Sequence, residues 1–320
     1  MSKYLRIDEE RTVERLEVYL QDLYQKSGTG GVVIGISGGI DSSVLSVLAV
    51  NSLGKGSVHL EYLYDQHSDH ELRRNARLMS EWLGVELVER SIEPAMRGAG
   101  VYAPFGMTAT LFSGLLNRFL HQTYRLLFRE TPFISSLWLG SDEDSEGDQS
   151  QQSFRKLIRQ PETGLNVRHR YRRQVLEEKA SQRNWLLLGA ANRTEWLVGW
   201  FVKDGIDDLP IQLLIGLYKT QVRQIAGLLE VPAEVQHHAP SPDMMRGITD
   251  EFALGLSYSK IDLILDHLAG GVTKETLLST GCSDGEIRLV REMNRLSHWK
   301  RGSAHPHPPV DGGPAGGLRL

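Results

Sequence analysis

VVIGISGGIDSSV, residues 32–44, runs from apolar residues through two adjacent glycines into an aspartate and two serines, then back into an apolar stretch. A short, nearly continuous apolar run is what a strand buried on both faces of a parallel sheet requires. The residues that follow, 42–54, read as a helix. A turn between a strand and a helix leaves backbone N–H groups at the helix N-terminus. Glycines let that backbone lie close to a ligand, and the helix dipole favours an anion. The turn therefore suits a phosphate or pyrophosphate, with Ser37, Gly38, Gly39, Ser42 and Ser43 as the contacts. Asp41 is the odd member, since a carboxylate beside phosphates is repelled unless a cation lies between them. Mg²⁺ is the natural cation, because it takes a carboxylate plus phosphate oxygens. The string is neither a Walker A loop nor a GxGxxG fingerprint.

Outward from this turn the chain alternates strand and helix. Residues 8–24 carry apolar positions at helical spacing, and SGTGG ends that helix. SVHLEYLY (57–64) is a second strand, followed by a helix ending at Gly84. VELVERSI (85–92) is a third strand. The polar helix YRRQVLEEKASQR (171–183) leads into a fourth, NWLLLGA (184–190). This alternation predicts an α/β fold, a Rossmann-like doubly wound parallel sheet with helices on both faces. Residues from about 97 to 161 have no place in the alternation and read as a mid-chain insertion. Within it, LFSGLLNRFLHQTYRLLF reads as one or two helices and SDEDSEGDQSQQS (141–153) as a solvated loop. One domain is expected over 1–302, followed by a flexible Gly/Pro-rich tail at 303–320.

The composition narrows the partners. The formal net charge is −4, which argues against a nucleic-acid binder that works through bulk basic charge. The single cysteine, Cys282, allows no internal disulfide and no cysteine-rich metal site. The charged N-terminus has no signal-peptide core, and no apolar run reaches the ~20 residues that span a bilayer. A cytoplasmic protein without a membrane partner is expected.

SGGIDSS resembles the pyrophosphate loop of the N-type ATP pyrophosphatases, which split ATP between its α- and β-phosphates. The second half of the chain resembles one branch of that group, the ammonia-dependent NAD synthetases. GAANRTEWLVGWFVKDGIDDLPIQLLIGLYKTQVR matches that family's pattern at Gly189, Asn192, Glu195, Gly199, Phe201, Lys203, Gly205, Lys219, Gln221, Val222 and Arg223. APSPDMMRGITDEFALGLSYSKIDLIL is similar to its next block. NVRHRYRR matches at Asn166, Arg170 and Arg172, and HWKRGSAHPHPP is similar to the family's ending. The pattern departs at Val202, where the family has Thr, and at Ile206, which falls at an Asp, although Asp207 and Asp208 follow directly.

The resemblance implies a ligase that amidates deamido-NAD to NAD, with ATP as cosubstrate and ammonia as nitrogen donor. It implies catalytic roles for Asp41, Lys203 and Lys219, and Mg²⁺ held by Asp41 and Glu195. ATP would be bound by the glycine turn together with Arg170, Arg172, Lys219 and Ser241. The acyl substrate would be bound by Asn166, Lys203, Asp207 and Asp208. A homodimer is implied, with ammonia taken free or from a separate glutaminase. The alternative is an adenylating amide ligase acting on a different carboxylate. A tRNA-modifying enzyme would need a basic face, and an inactive nucleotide-binding protein would not need Asp41, Glu195 and Lys219 together. His67, Asp69 and His70 in DQHSDH read equally as a metal site or as a polar loop at a strand end.

Overall fold

Four parallel strands form the sheet: β1 (Gly31–Gly35), β2 (Val58–Tyr64), β3 (Leu87–Ser91) and β4 (Trp185–Leu188), in the order β3-β2-β1-β4. The structure, a computed structural model, describes residues 3–102, 114–128, 130–140, 149–242, 247–302, 305, 307 and 308. All four strands fall where the apolar runs predict them. Val32 on β1 lies opposite Val58 on one side and Leu186 on the other. The strand order reverses direction between β1 and β4. In an open parallel sheet, the crevice beyond the carboxyl ends of strands at such a switch point is where ligands bind.

Side chains alternate across β1, and the two faces bury different helices. Val32 and Ile34 face a core shared with α1 (Glu9–Ser27) and α2 (Ile40–Leu53). Val33 faces the other side. Leu72 begins the buried stripe of α3 (His70–Leu83), with Asn75, Ala76 and Met79 at helical spacing. α1 starts where Asp8 accepts the Arg11 N–H at 3.0 Å and ends at Gly28 in the left-handed conformation. α2 is apolar nearly all round because it is buried nearly all round.

The middle of the chain differs from the sequence reading. LFSGLLNRFLHQTYRLLF contributes one helix, α4 (Gly114–Phe128), and a second, α5 (Pro132–Gly140), follows it. α6 (Gln149–Arg183) is 35 residues long and passes straight through Pro161 and Gly164. The expected loop at 141–153 is therefore helical from Gln149, and its first eight residues, 141–148, lie outside the described residues. Arg170 and Arg172, expected at a helix start, sit well inside α6. The helix packs against both α5 and the sheet, with Val175, Leu176 and Ala180 in the core beside Val33.

Four more helices follow, α7 (Arg193–Val198) and α8 (Lys219–Leu228), which reach the crevice, and α9 (Tyr258–Leu268) and α10 (Asp284–Leu296), which back it. α5, α7, α9 and α10 share a second, all-helical core around Leu137, Val198, Ile261 and Val290. Among the described residues no helix is long and apolar enough to cross a membrane.

Candidate active site

The glycine turn lies at the carboxyl end of β1, as the sequence predicts. Gly38 has φ +79°, and a Cβ placed there would lie 1.9 Å from the Leu72 carbonyl oxygen of α3. Glycine is needed for both reasons. Ser37 and Ser42 face each other with their hydroxyls 3.0 Å apart, and the Ser42 hydroxyl also accepts the Ser37 N–H. Ser43 is buried and donates to the Gly39 carbonyl of its own helix at 2.8 Å, so its hydroxyl holds the turn. Gly39 caps α2 without any side-chain hydrogen bond, which leaves the first-turn N–H groups for a ligand.

Asp41, on that first turn, meets Lys219 at the start of α8. Lys219 Nζ lies 2.5 Å from Asp41 Oδ2 and 2.9 Å from Glu195 Oε1. Asn192 ties the same groups together. Its amide donates to Asp41 Oδ1 at 2.9 Å, and its amide oxygen accepts the Glu195 N–H at 3.0 Å, capping α7. Tyr258 donates to Asp250 Oδ2 at 2.8 Å and stands 3.5 Å from Glu195 Oε1. Lys219 is 2% exposed. Burial works against its ammonium, but Asp41 and Glu195 outweigh it and hold the group firmly protonated. Burial, together with the nearby Asp41 and Asp250 charges, pushes the Glu195 carboxyl upward against the pull of Lys219.

A buried carboxylate behind this cluster fixes its geometry. Asp262 Oδ1 accepts the Thr194 hydroxyl at 2.5 Å, and Oδ2 accepts the Thr220 N–H at 2.8 Å. The Thr194 hydroxyl in turn accepts the Lys219 N–H at 2.8 Å. The N-terminal turns of α7 and α8, carrying Glu195 and Lys219, are thus pinned to one side chain of α9. Burial raises the Asp262 carboxyl to about 6.

Across the crevice stand Asn166, His169 and Arg172 of α6 and Asp207 of the VKDGIDDLP loop. His169 Nδ1 is 2.9 Å from Asp207 Oδ2. Burial would raise the Asp207 carboxyl, but His169, Arg172 and Lys300 outweigh it and hold it below the ordinary carboxylate range. Lys300 also lines the crevice and donates to the Gly199 and Phe201 carbonyls at 2.8 and 2.5 Å. Ser241, Pro240 and His238 close one edge.

The structure gathers most of the sequence-predicted residues in one crevice: Ser37, Gly39, Asp41, Ser42, Asn166, Arg172, Glu195, Asp207, Lys219 and Ser241 all line it. Gly38 backs it against α3. Ser43 is buried behind the turn, and three further residues are not brought to the wall. Lys203 donates to the Trp299 carbonyl at 3.1 Å, exposed Arg170 donates to the Lys203 carbonyl at 3.3 Å, and Asp208 accepts the Asp204 N–H at 2.9 Å. His67 is buried and stacks on Tyr102, and its backbone N–H donates to Asp65 Oδ1 at 2.8 Å. Among the described residues no group of three or more His, Cys, Asp or Glu forms a metal cage.

Sequence reasoning missed His169, Thr194, Lys300, Asp250, Tyr258 and Asp262 as site residues, although each falls inside a quoted motif. What it lacked was the position of each side chain relative to the crevice. In the tail, expected to be loose, His305 packs edge-on against Trp196 with its Nε2 3.7 Å from Asp208.

Residues 12–104 and 145–304 match the family model described as NAD synthase. The chain belongs to the NAD synthase family. It is 33% identical over 255 residues to the NH(3)-dependent NAD(+) synthetase of Thermotoga maritima, covering 80% of this chain and 86% of that protein. To the NH(3)-dependent NAD(+) synthetase of Thermococcus kodakarensis it is 30% identical over 298 residues, covering 92% and 96%. Among solved structures, NMN synthetase from Francisella tularensis shares the fold with a TM-score of 0.66 at 24% identity, covering 93% of this chain and 98% of that one. The NH3-dependent NAD synthetase from Campylobacter jejuni does so with a TM-score of 0.61 at 19% identity, over 93% and 98%. Against the NAD synthase pattern, residues 105–144 are unmatched.

Proposed function

We propose that the chain amidates deamido-NAD to NAD, consuming ATP and ammonia and releasing AMP and pyrophosphate. The observation that carries this reading is the Lys219 ammonium set between Asp41 of the glycine turn and Glu195, at the switch point of a NAD synthase family fold. The substrate carboxylate attacks the α-phosphorus of ATP, the α–β bridging bond breaks, and pyrophosphate leaves with the electron pair. Ammonia then attacks the acyl carbon of the adenylate, a proton is lost from nitrogen, and AMP leaves. No nucleophilic side chain is required. Positioning and charge supply the rate, as in phosphoryl chemistry generally.

In this reading, Ser37, Gly38, Gly39, Ser42 and the first-turn N–H groups of α2 cradle the phosphates, with Ser43 holding the turn. Lys219 neutralises charge on the leaving pyrophosphate. Arg172 and Ser241 hold the nucleotide from the crevice edges, and Arg170 lies further out. Asn166 and Asp207 face the acyl substrate, while Lys203 and Asp208 shape the loop that carries Asp207. Asp41 and Glu195 fit Mg²⁺, since two carboxylates with phosphate oxygens and water suffice, and they face Lys219 as the single ammonium between them. The cation would supply charge neutralisation of the phosphates. The chain would work as a homodimer in the cytoplasm, with ammonia free or delivered by a separate glutaminase, and without nucleic acid or membrane.

A second reading, the same chemistry on a different carboxylate, is favoured by one observation: Ile206 lines the crevice where the family pattern has Asp. The test is pyrophosphate release from ATP, Mg²⁺ and ammonium with and without deamido-NAD, with NAD followed by mass. Release that requires deamido-NAD and yields NAD supports the first reading. Release that requires another carboxylate transfers the site to the second.

A further inference from the structure

The VKDGIDDLP loop reaches the crevice through Val202, Ile206 and Asp207. Its own hydrogen bonds are all short in range. Gly205 N–H donates to the Val202 carbonyl at 2.9 Å, Asp208 N–H to the Gly205 carbonyl at 3.0 Å, and Asp204 N–H to the Asp208 carboxylate at 2.9 Å. Asp204 sits at φ +61°, which costs a side-chain-bearing residue energy and persists only where the surroundings impose it. Those surroundings come from two distant segments. On α6, His169 Nδ1 stands 2.9 Å from Asp207 Oδ2, and Arg173 donates to the Asp208 carbonyl at 2.8 Å. The fit is close: a Cβ added at Gly205 would lie 2.9 Å from the His169 Cβ. From the tail, His305 stands with Nε2 3.7 Å from Asp208 Oδ1 and Nδ1 3.5 Å from the Pro210 carbonyl oxygen. Trp196 backs its ring edge-on at 4.4 Å. Two adjacent aspartates thus meet two histidines that enter from different parts of the chain. Asp207 keeps 39% of its side chain exposed, so the His169 contact does not cover it.

We propose that His169 and His305 are positioning residues that clasp this loop, one through Asp207 and the other through Asp208, and so aim the Asp207 carboxylate into the crevice. The inference rests on the function proposed above, in which Asp207 faces the acyl substrate, and deepens it. Ile206 seats the apolar side of the loop against β1, where a Cβ on Gly35 would lie 2.9 Å from its Cδ1. An apolar contact has no direction, so it cannot set where the next side chain points. The histidine contacts can. A carboxylate aimed before the ligand arrives spares the ordering cost that binding would otherwise carry. The tail of the chain thereby takes part in substrate binding without touching the glycine turn or the Lys219 cluster.

The experiment compares wild type with His169→Ala, His169→Asn and His305→Ala. Amide hydrogen exchange over residues 202–210 is read by mass, and KM is measured for deamido-NAD and for ATP. In both alanine variants the loop is expected to exchange about tenfold faster, and KM for deamido-NAD to rise about fivefold to tenfold. KM for ATP should stay within about twofold of wild type. His169→Asn, whose amide nitrogen can stand where Nδ1 stands, should recover most of the His169→Ala loss. A role in packing alone would lower Tm and leave KM for deamido-NAD unchanged, and that result in either alanine variant overturns the proposal. So do unchanged loop exchange and an equal rise in KM for ATP. Should His169→Ala not fold, His169→Asn and His305→Ala carry the test. Faster loop exchange in the variants of a chain whose wild type ignores deamido-NAD would keep the clasp and sink the functional reading, a distinct failure.

Discussion

Lys219 reaches Asp41 across 178 residues of sequence, and the 2.5 Å contact between Nζ and Oδ2 joins the second half of the chain to the phosphate turn. Neither partner is stable alone in that place. Removing a buried partner leaves the remaining charge uncompensated, which costs roughly 3–5 kcal/mol. Lys219→Met is therefore expected to leave Asp41 and Glu195 repelling each other, and to repel ATP as well. Pyrophosphate release at saturating ATP should fall by at least about a hundredfold. A loss below tenfold would remove Lys219 from the chemistry.

Asp262 stands behind the crevice wall and holds both Thr194 and Thr220. Asp262→Ala leaves a buried hydroxyl and a buried N–H without their acceptor, at about 1–3 kcal/mol each. The expected outcome is a clear fall in Tm together with a loss of kcat. Thr194→Val, which removes only the hydroxyl, should lower kcat with a smaller fall in Tm, and Thr194→Ser should restore it. Wild-type kcat in Thr194→Val would show that the Lys219 helix is held by other means.

Gly38→Ala must place a methyl against the Leu72 carbonyl, whose oxygen is backbone and cannot swing away. The turn or α3 has to move, and the strained φ adds to the cost. ATP binding, read by calorimetry, should be lost while far-ultraviolet circular dichroism stays native. Gly54, with φ +77° but open space around it, is the control for conformation without crowding. Gly54→Ala should bind ATP as wild type does.

Glu89 on the edge strand β3 is gripped by Arg73 and Arg77, with side-chain contacts of 2.7–3.1 Å. Hydrogen bonds from Arg73 and then Arg77 draw its carboxyl down to about 2. A depressed folded value means stability that is present above the unfolded pKa of about 4.3 and is lost as pH falls towards 2. Solvent screens these partly exposed groups, so the contribution is about 1 kcal/mol. Glu89→Gln should lower Tm by about 2 °C at neutral pH, and the gap to wild type should close between about pH 5 and pH 2. A pH-independent gap would assign the effect to shape instead of charge.

The centre of the sheet was legible because β1 and β2 are buried on both faces, and burial writes itself into sequence as apolar runs; the half-buried β3 and β4 still carry shorter apolar runs. Asp41, Glu195 and Lys219 were legible for another reason: the motifs carry them in a fixed order. The length of α6 was not legible, since Pro161 and Gly164 in its first half signal a break that the helix does not show. Lys203 and Arg170 matched the family pattern in spacing, but spacing does not tell which way a loop turns its lysine. His169 sat in plain view between two expected residues. Its value lies in the Asp207 contact, which joins segments 38 residues apart and leaves no local mark.

Lys300 and Arg301 fill carbonyls at the far end of α7 and the loop after it: Gly199 and Phe201 by the lysine, Leu197 by the arginine at 2.9 Å. Burial lowers the Arg301 guanidinium to about 10, still fully charged at neutral pH. The acceptors are made about a hundred residues before the donors. At roughly 5–20 residues per second, a ribosome takes on the order of 5–20 s to cover that distance. For that interval those carbonyls lack the partners that the finished chain gives them. The nascent chain can complete its sheet early, but its catalytic chamber is sealed only by a late arrival. Slowing translation after residue 210 would prolong an open, protease-sensitive form without altering a single contact of the finished enzyme.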